Sequence, residues 1–273
     1  MRTEALLLRP MSNKYLEKVA AKKDTSDSKG TVTAKAVASH MAGETVAGVG
    51  LIPINHHFNK KLTNSFDGKG SADLHTVRKF MKDNNLHKTT TFNRRDHVLH
   101  KNEIPRGAAS GSGPGYYHKD VFGSKKNFVG GVRNGGKSIN PDIIMHELGH
   151  AKDFATHGKL KGALSMIGRH PIGKAVAATA TVGALSNDKT RDYAPAIAAV
   201  PGAAVLREEV AANVHAYKGI KAHKGAAVAN KFLRGTAKHN LAAYASAAAV
   251  PAAGAYLAKK IMDKWSPRKK DGK

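Results

Sequence analysis

The apolar positions of this chain fall into three regimes. Near the start, Leu16, Val19 and Ala20 recur at helical spacing behind Ser12, predicting a short basic helix over 11–23, followed by a polar linker over 24–30. From Thr31 to Ile54 the residues are small and apolar, interrupted by His40 and Glu44. This pattern predicts a helix that is either buried or laid on a membrane surface. Leu74, Val77, Phe80 and Met81 make one stripe of an amphipathic helix over 73–85.

The middle regime is β-like and glycine-rich. Thr89 to Phe92 favours extended structure, 107–115 reads as a flexible loop, and Phe128 to Val132 reads as a short strand before a turn at 134–136. Asn140-Pro141-Asp142 then opens a helix, with Asn as cap, Pro in the first turn and Asp at the positive end of the dipole. The third regime is Ala-rich, with apolar runs at 175–185, 194–206 and 241–258 broken by Pro171, Pro195, Pro201 and Pro251. These runs predict helices. Each falls short of the roughly 20 residues that span a bilayer, which leaves a helical bundle and a membrane-associated layer both open. Residues 266–273 form a basic tail.

Charge and composition narrow the field. The chain has 273 residues and carries 45 Lys and Arg against 20 Asp and Glu, a formal charge of +25. Such an excess implies an anionic neighbour, either a phospholipid surface or, on charge alone, nucleic acid. No cysteine is present, so any metal must be held by nitrogen and oxygen. The apolar run at 5–8 is too short for a secretory signal, and Met11 offers an alternative start to Met1.

The most informative run is His146-Glu147-Leu148-Gly149-His150. On a helix, residues four apart share a face, so both imidazoles can reach one Zn²⁺ while Glu147 sits beside the open position as general base. Ile144, Leu148, Ala151 and Ala155 form the expected packing face, and Gly149 is expected to leave room near the metal. A third ligand is needed. A His six residues beyond the second ligand marks the metzincins, but that position is Thr156; His157 is one residue late and two turns away. Asp153, on the same face, is a candidate neighbour that orients the ligands. The other source of a ligand is Glu208-Glu209, on a segment with Leu206, Val210 and Val214 at helical spacing. Glu209 is preferred, because Asn213 lies four residues on and its carbonyl can accept the second ring N–H of a ligating His.

With these two segments the chain resembles the gluzincin type of zincin metallopeptidase, and within it the membrane-associated heat-shock and prenyl-protein zinc endopeptidases, whose later helix reads Glu-x-x-Ala-Asp. Asn213 stands where that family has Asp. The resemblance covers roughly residues 125–220. It implies an α+β, mainly α fold: a minimal zincin core, with a short sheet whose edge strand packs on the motif helix, plus an Ala-rich helical region. It implies Zn²⁺ held by His146, His150 and Glu209, Glu147 as base, and a peptide or protein substrate paired to the edge strand at 128–132. Tyr193, His215 and Tyr217 are candidates to stabilise the oxyanion. The expected organisation is a basic segment at 1–30, a metallopeptidase domain at 31–235 with an apolar helical insertion at 160–206, and an Ala-rich helix and tail at 236–273. The expected location is a membrane or a virus particle. The competing reading is a basic membrane- or nucleic-acid-associated structural protein, such as a virion component, whose zinc site is inactive or structural.

Overall fold

The structure is a computed structural model that describes residues 28–66, 70–92, 115–117, 126–130 and 140–267. The helix expected at 11–23, the turn at 134–136 and most of the loop at 107–115 lie outside the described residues.

The protein is mainly helical. Its helices are α1 (Lys29–Phe66), α2 (Leu74–Asp83), α3 (Pro141–Gly168), α4 (Pro171–Leu185), α5 (Ala194–Lys224), α6 (Ala226–Phe232) and α7 (Lys238–Trp265). One π turn, Leu233–Ala237, joins α6 to α7. The strands β1 (Thr90–Phe92), β2 (Gly115–Tyr117) and β3 (Asn127–Gly130) form one small sheet in the order β1-β3-β2. β1 runs parallel to β3 with Thr91 opposite Phe128, and β2 runs antiparallel with Tyr116 opposite Val129. β3 is therefore the inner strand, not the expected edge. Extended segments on both sides pair with it, and one of them begins at Gly115, at the end of a stretch whose composition reads as loop.

Local chemistry sets the start of α3. Asn140 caps it by accepting from Asp142 N–H at 2.9 Å, and Pro141 occupies the first turn, where no intrahelical donor is needed. The Asp142 carboxylate in turn accepts from the backbone N–H groups of Ser71 and Ala72 at 2.9 and 2.7 Å. This pins the approach to α2 against the start of the motif helix. Ile143, Ile144, Met145 and Leu148 of α3 then bury against Val77, Phe80 and Met81 of α2, Val129 of β3, and Ile220 and Phe232 beyond. Ala155, expected on the same face, is exposed.

A second core joins Ala36 of α1, Ala184 and Leu185 of α4, Ala194 of α5, and Ala258 and Met262 of α7. α1 and α7 lie antiparallel: Lys35 Nζ donates to the Trp265 carbonyl, while Gly43 faces Gly254 and Ala258 so closely that a Cβ there would sit 2.1 Å from a backbone oxygen. Arg191 is fully buried at the corner between α4 and α5. It donates to the carbonyls of Leu185 and Ser266 and pairs with Asp188 and Asp263, tying that corner to the end of α7.

Two stretches, Lys29–Phe58 and Ala226–Trp265, are long and apolar enough to cross a membrane. The sequence pattern alone, judged run by run, marked neither. The helices continue through their isolated polar residues and through Pro53 and Pro251, so the continuous apolar length exceeds any single run. Large apolar side chains on α1 stay exposed, among them Met41, Val46, Val49 and Ile52.

Candidate metal centre

His146 and His150 project from α3 one turn apart, with ring centroids 4.9 Å apart and both residues buried. Glu147 is half-buried, with Oε1 4.0 Å from His146 Nε2. Opposite them stands α5. Glu209, 1% exposed, places Oε2 3.1 Å from His146 Nε2 and Oε1 3.5 Å from His150 Nε2. Asn213, one turn further along, accepts from His146 Nδ1 at 3.0 Å. The two helices approach so closely because position 149 has no side chain: a Cβ on Gly149 would lie 2.2 Å from the Ala212 carbonyl oxygen. Gly149 thus serves the contact between helices rather than space around a metal.

α5 buries the side opposite to the one its valines suggest. Glu208, Glu209, Ala212, Asn213 and Ala216 are buried, whereas Val210 and Val214 are 46% and 42% exposed. A helix that turns carboxylates inward and valines outward gains nothing from the usual apolar burial. The inward groups need partners to offset their desolvation.

Those partners are mostly residues the sequence pattern did not single out. Arg169, at the end of α3, grips both carboxylates, donating through Nε to Glu208 Oε2 at 2.8 Å and through Nη2 to Glu209 Oε1. Its guanidinium also lies 5.7 Å from the ring centre of Tyr244 on α7. Asn240, near the start of α7, brings Nδ2 to 3.3 Å from His146 Nε2. Lys161 brings Nζ to 3.0 Å from His150 Nδ1. The signal that could have found Arg169 is the Glu208-Glu209 doublet itself, since two buried carboxylates require a cation. Asn240 had no signal beyond being an amide at the head of an apolar helix.

The remaining expected residues are dispersed around this group. Asp153 accepts from Arg207 Nη1 at 2.8 Å and from His157 Nδ1 at 3.1 Å, and lies 3.6 Å from Lys161 Nζ, through which it touches the His150 side. α3 is kinked at His157, the break that the late-histidine alternative requires, but the His157 ring turns to Asp153. His215 Nε2 points to Asp153 Oδ1 at 3.8 Å, Tyr217 donates its hydroxyl to Asn230 Oδ1 at 3.3 Å, and Tyr193 is exposed. None of the three is directed at Glu209. Tyr217, for example, stands eight residues along α5, about 12 Å down its axis. The site also draws on residues past 236, through Asn240 and Tyr244, so the final helix is not separate from it.

The electrostatics are strongly coupled. Burial opposes a charge on Glu209, but His150 and His146 hold its carboxyl well below the ordinary range. Burial also opposes the His146 imidazolium, yet its hydrogen bond to Glu209 and the charge of Glu147 raise its pKa. Burial pushes His150 down to about 3 despite Glu209. The two histidines thus sit on opposite sides of their ordinary value.

The donor set fits a divalent metal. In a tetrahedral shell with bonds of about 2.0–2.1 Å, neighbouring ligand atoms lie about 3.3 Å apart; Glu209 Oε2 is 3.1 Å from His146 Nε2, while its other oxygen, Oε1, shared with Arg169, is 3.5 Å from His150 Nε2. With Nδ1–H of His146 given to Asn213, its Nε2 lone pair and Glu209 Oε2 are two acceptors face to face, which need a proton or a cation between them. The ligating atoms of His146, Glu147 and His150 also lie within 4.8 Å of one another, so the group can hold a metal ion. Buried atoms without partners cluster here as well: Glu208 Oε1, Asn213 Nδ2 and Asn240 Oδ1. Lys161 sets a condition. As an ammonium it donates to His150 Nδ1 and keeps the ring proton on Nε2; as a neutral amine it accepts Nδ1–H and frees Nε2. Burial pushes it toward the neutral form, against the pull of Glu208 and Asp153.

No family model, curated protein or solved structure matches the chain.

Proposed function

We propose that the chain is a zinc-dependent peptidase of gluzincin type that works at a membrane. The observation that carries this reading is the convergence of two helices. His146 and His150 of α3, with Glu147 beside them, form a group that could hold a metal ion, and Glu209 of α5 sets one carboxylate oxygen 3.1 Å from His146 Nε2 and the other 3.5 Å from His150 Nε2. Zinc held by these three would supply a Lewis acid for the scissile carbonyl and acidify the attacking water. Glu147 takes the proton of that water and passes it to the leaving amine. Asn213 fixes the His146 ring through Nδ1, and Arg169 holds the Glu209 oxygen turned away from His146. Because β3 is inner, an extended peptide would add to the outer side of β2, which with β3 packs on α3.

A second reading, a basic membrane-associated protein with a structural or inactive site, draws on Lys161 at His150 and on the charge of +25. Zinc content and cleavage of a mixed peptide library, wild type against Glu147→Gln, separate the two. Stoichiometric zinc in both and cleavage by the wild type alone is the expected result. Zinc without cleavage would favour the structural reading, and a metal-free wild type would overturn the peptidase reading. Ligand assignment is tested by titrating zinc into Glu209→Ala and Glu208→Ala. The first should weaken binding by more than about 100-fold and the second by roughly 10-fold, as for a group that only supports a ligand. The reverse order would refute Glu209.

A further inference from the structure

Three side chains converge on one nitrogen, His146 Nε2. Glu209 Oε2 lies 3.1 Å away, Glu147 Oε1 4.0 Å away, and Asn240 Nδ2, from α7, 3.3 Å away. The two carboxylates already have parts in the proposed centre; the amide does not. Asn240 is 5% exposed, and its Oδ1 is buried with no hydrogen-bond partner among the described residues. A buried carbonyl left in this way carries its desolvation uncompensated. The placement belongs to a whole face of α7. Tyr244, four residues on and so on the same side, lies against Arg169, which in turn holds Glu209.

The spacing points to a role. Ligand atoms around a tetrahedral cation with bonds of 2.0–2.1 Å lie about 3.3 Å apart, and the end of the Asn240 amide stands at that distance from the nitrogen that would ligate. With His146 Nδ1–H given to Asn213, Asn240 Nδ2–H donates to the Nε2 lone pair, the same pair a metal needs. Half a turn of the amide about its Cβ–Cγ bond exchanges its two ends. That turn withdraws the competing donor and brings the unpartnered Oδ1 to ligand spacing.

We propose that Asn240 is a fourth protein ligand, through Oδ1, of the divalent cation held by His146, His150 and Glu209. The inference rests on that metal centre and not on peptide cleavage. As the neutral oxygen of the set, the amide is the ligand that water or a substrate carbonyl displaces most readily.

The test titrates zinc against a competing chelator into the full chain in detergent micelles, as wild type, Asn240→Ala and Asn240→Asp. The Asn240→Ala variant should bind zinc more weakly by more than about tenfold. The Asn240→Asp variant, which offers an anionic oxygen at the same place, should bind more tightly than the wild type, a gain that damaged packing does not produce. A residue that only donates to Nε2 gives the opposite sign for Asn240→Ala, because its removal frees the lone pair. Unchanged or tighter binding by Asn240→Ala, or binding by Asn240→Asp no tighter than by Asn240→Ala, therefore overturns the proposal. Cobalt loading adds a readout that does not depend on the Ala variant folding. The visible absorption of the cobalt-loaded wild type should change in Asn240→Asp, and an identical spectrum overturns the ligand assignment. A wild type that takes up no zinc overturns the metal centre and this proposal with it, whereas zinc binding indifferent to residue 240 overturns this proposal alone.

Discussion

Asp153 is a buried carboxylate ringed by basic side chains, with Arg207, Lys161, His157 and His215 all within 4 Å. Burial works against its charge, but Lys161 and then His157 and Arg207 outweigh it, so its pKa falls below the ordinary value. A carboxyl whose folded pKa is depressed stabilises the fold fully above its unfolded pKa and loses that contribution as pH falls through the folded one. Asp153→Asn should therefore destabilise the protein by about 3 kcal/mol at pH 7, within the range for breaking a buried pair. The gap between wild type and variant should begin to narrow below pH ~4 and go on narrowing as pH falls through the depressed folded pKa. Chemical denaturation at pH 7 and pH 3 measures this, and a gap as large at pH 3 as at pH 7 would show that packing, not charge, is lost. The same residue marks what could be read in advance. Spacings of four along one helix placed His146 with His150 and Glu209 with Asn213, because helical geometry alone fixes those faces. Arg169, Lys161 and Asn240 arrive through tertiary packing, from segments whose own pattern names no face.

Among the elements, α3 and α5 decide the site, and their contact depends on the absence of one side chain. Gly149→Ala would drive a Cβ into the Ala212 carbonyl. Backbone cannot yield as a flexible side chain can, so a loss of about 1–3 kcal/mol is expected, together with weaker metal binding as Glu209 is pushed from the histidines. A calorimetric melt alongside a zinc titration tests both; an Ala variant that melts and binds like wild type would mean the helices are less tightly seated than described. Apolar residues at helical spacing, such as Leu206, Val210 and Val214 of α5, normally mark the buried face, and here polar residues took it, because Arg169 and the histidines offer the carboxylates more than an apolar core offers valine. The strand at 127–130 was legible as a strand, but its place in the sheet was not, since that depends on partners at 90–92 and 115–117 brought in from elsewhere in the chain.

For the whole molecule, exposed apolar side chains on α1 coexist with a charge of +25. The two features predict different behaviour at a membrane. At 1 M salt the screening length falls to about 3 Å, which releases a protein held by charge alone. The apolar lengths of α1 and α7 predict that the protein stays with anionic vesicles in 1 M salt and leaves only in detergent. Complete release by salt in a flotation assay would assign the attachment to electrostatics and leave the exposed face of α1 without a lipid role.

The antiparallel seating of α7 on α1, with Asn240 beside His146, also sets an order of events during synthesis. The motif helix and the Glu209 helix are complete by residue 224, but the amide beside His146 and the Tyr244 ring beside Arg169 belong to α7, which follows them. A nascent chain carries both ligand helices before it can close the wall around them. The finished site is thus delayed until α7 has emerged and packed back, well after both ligand helices are made.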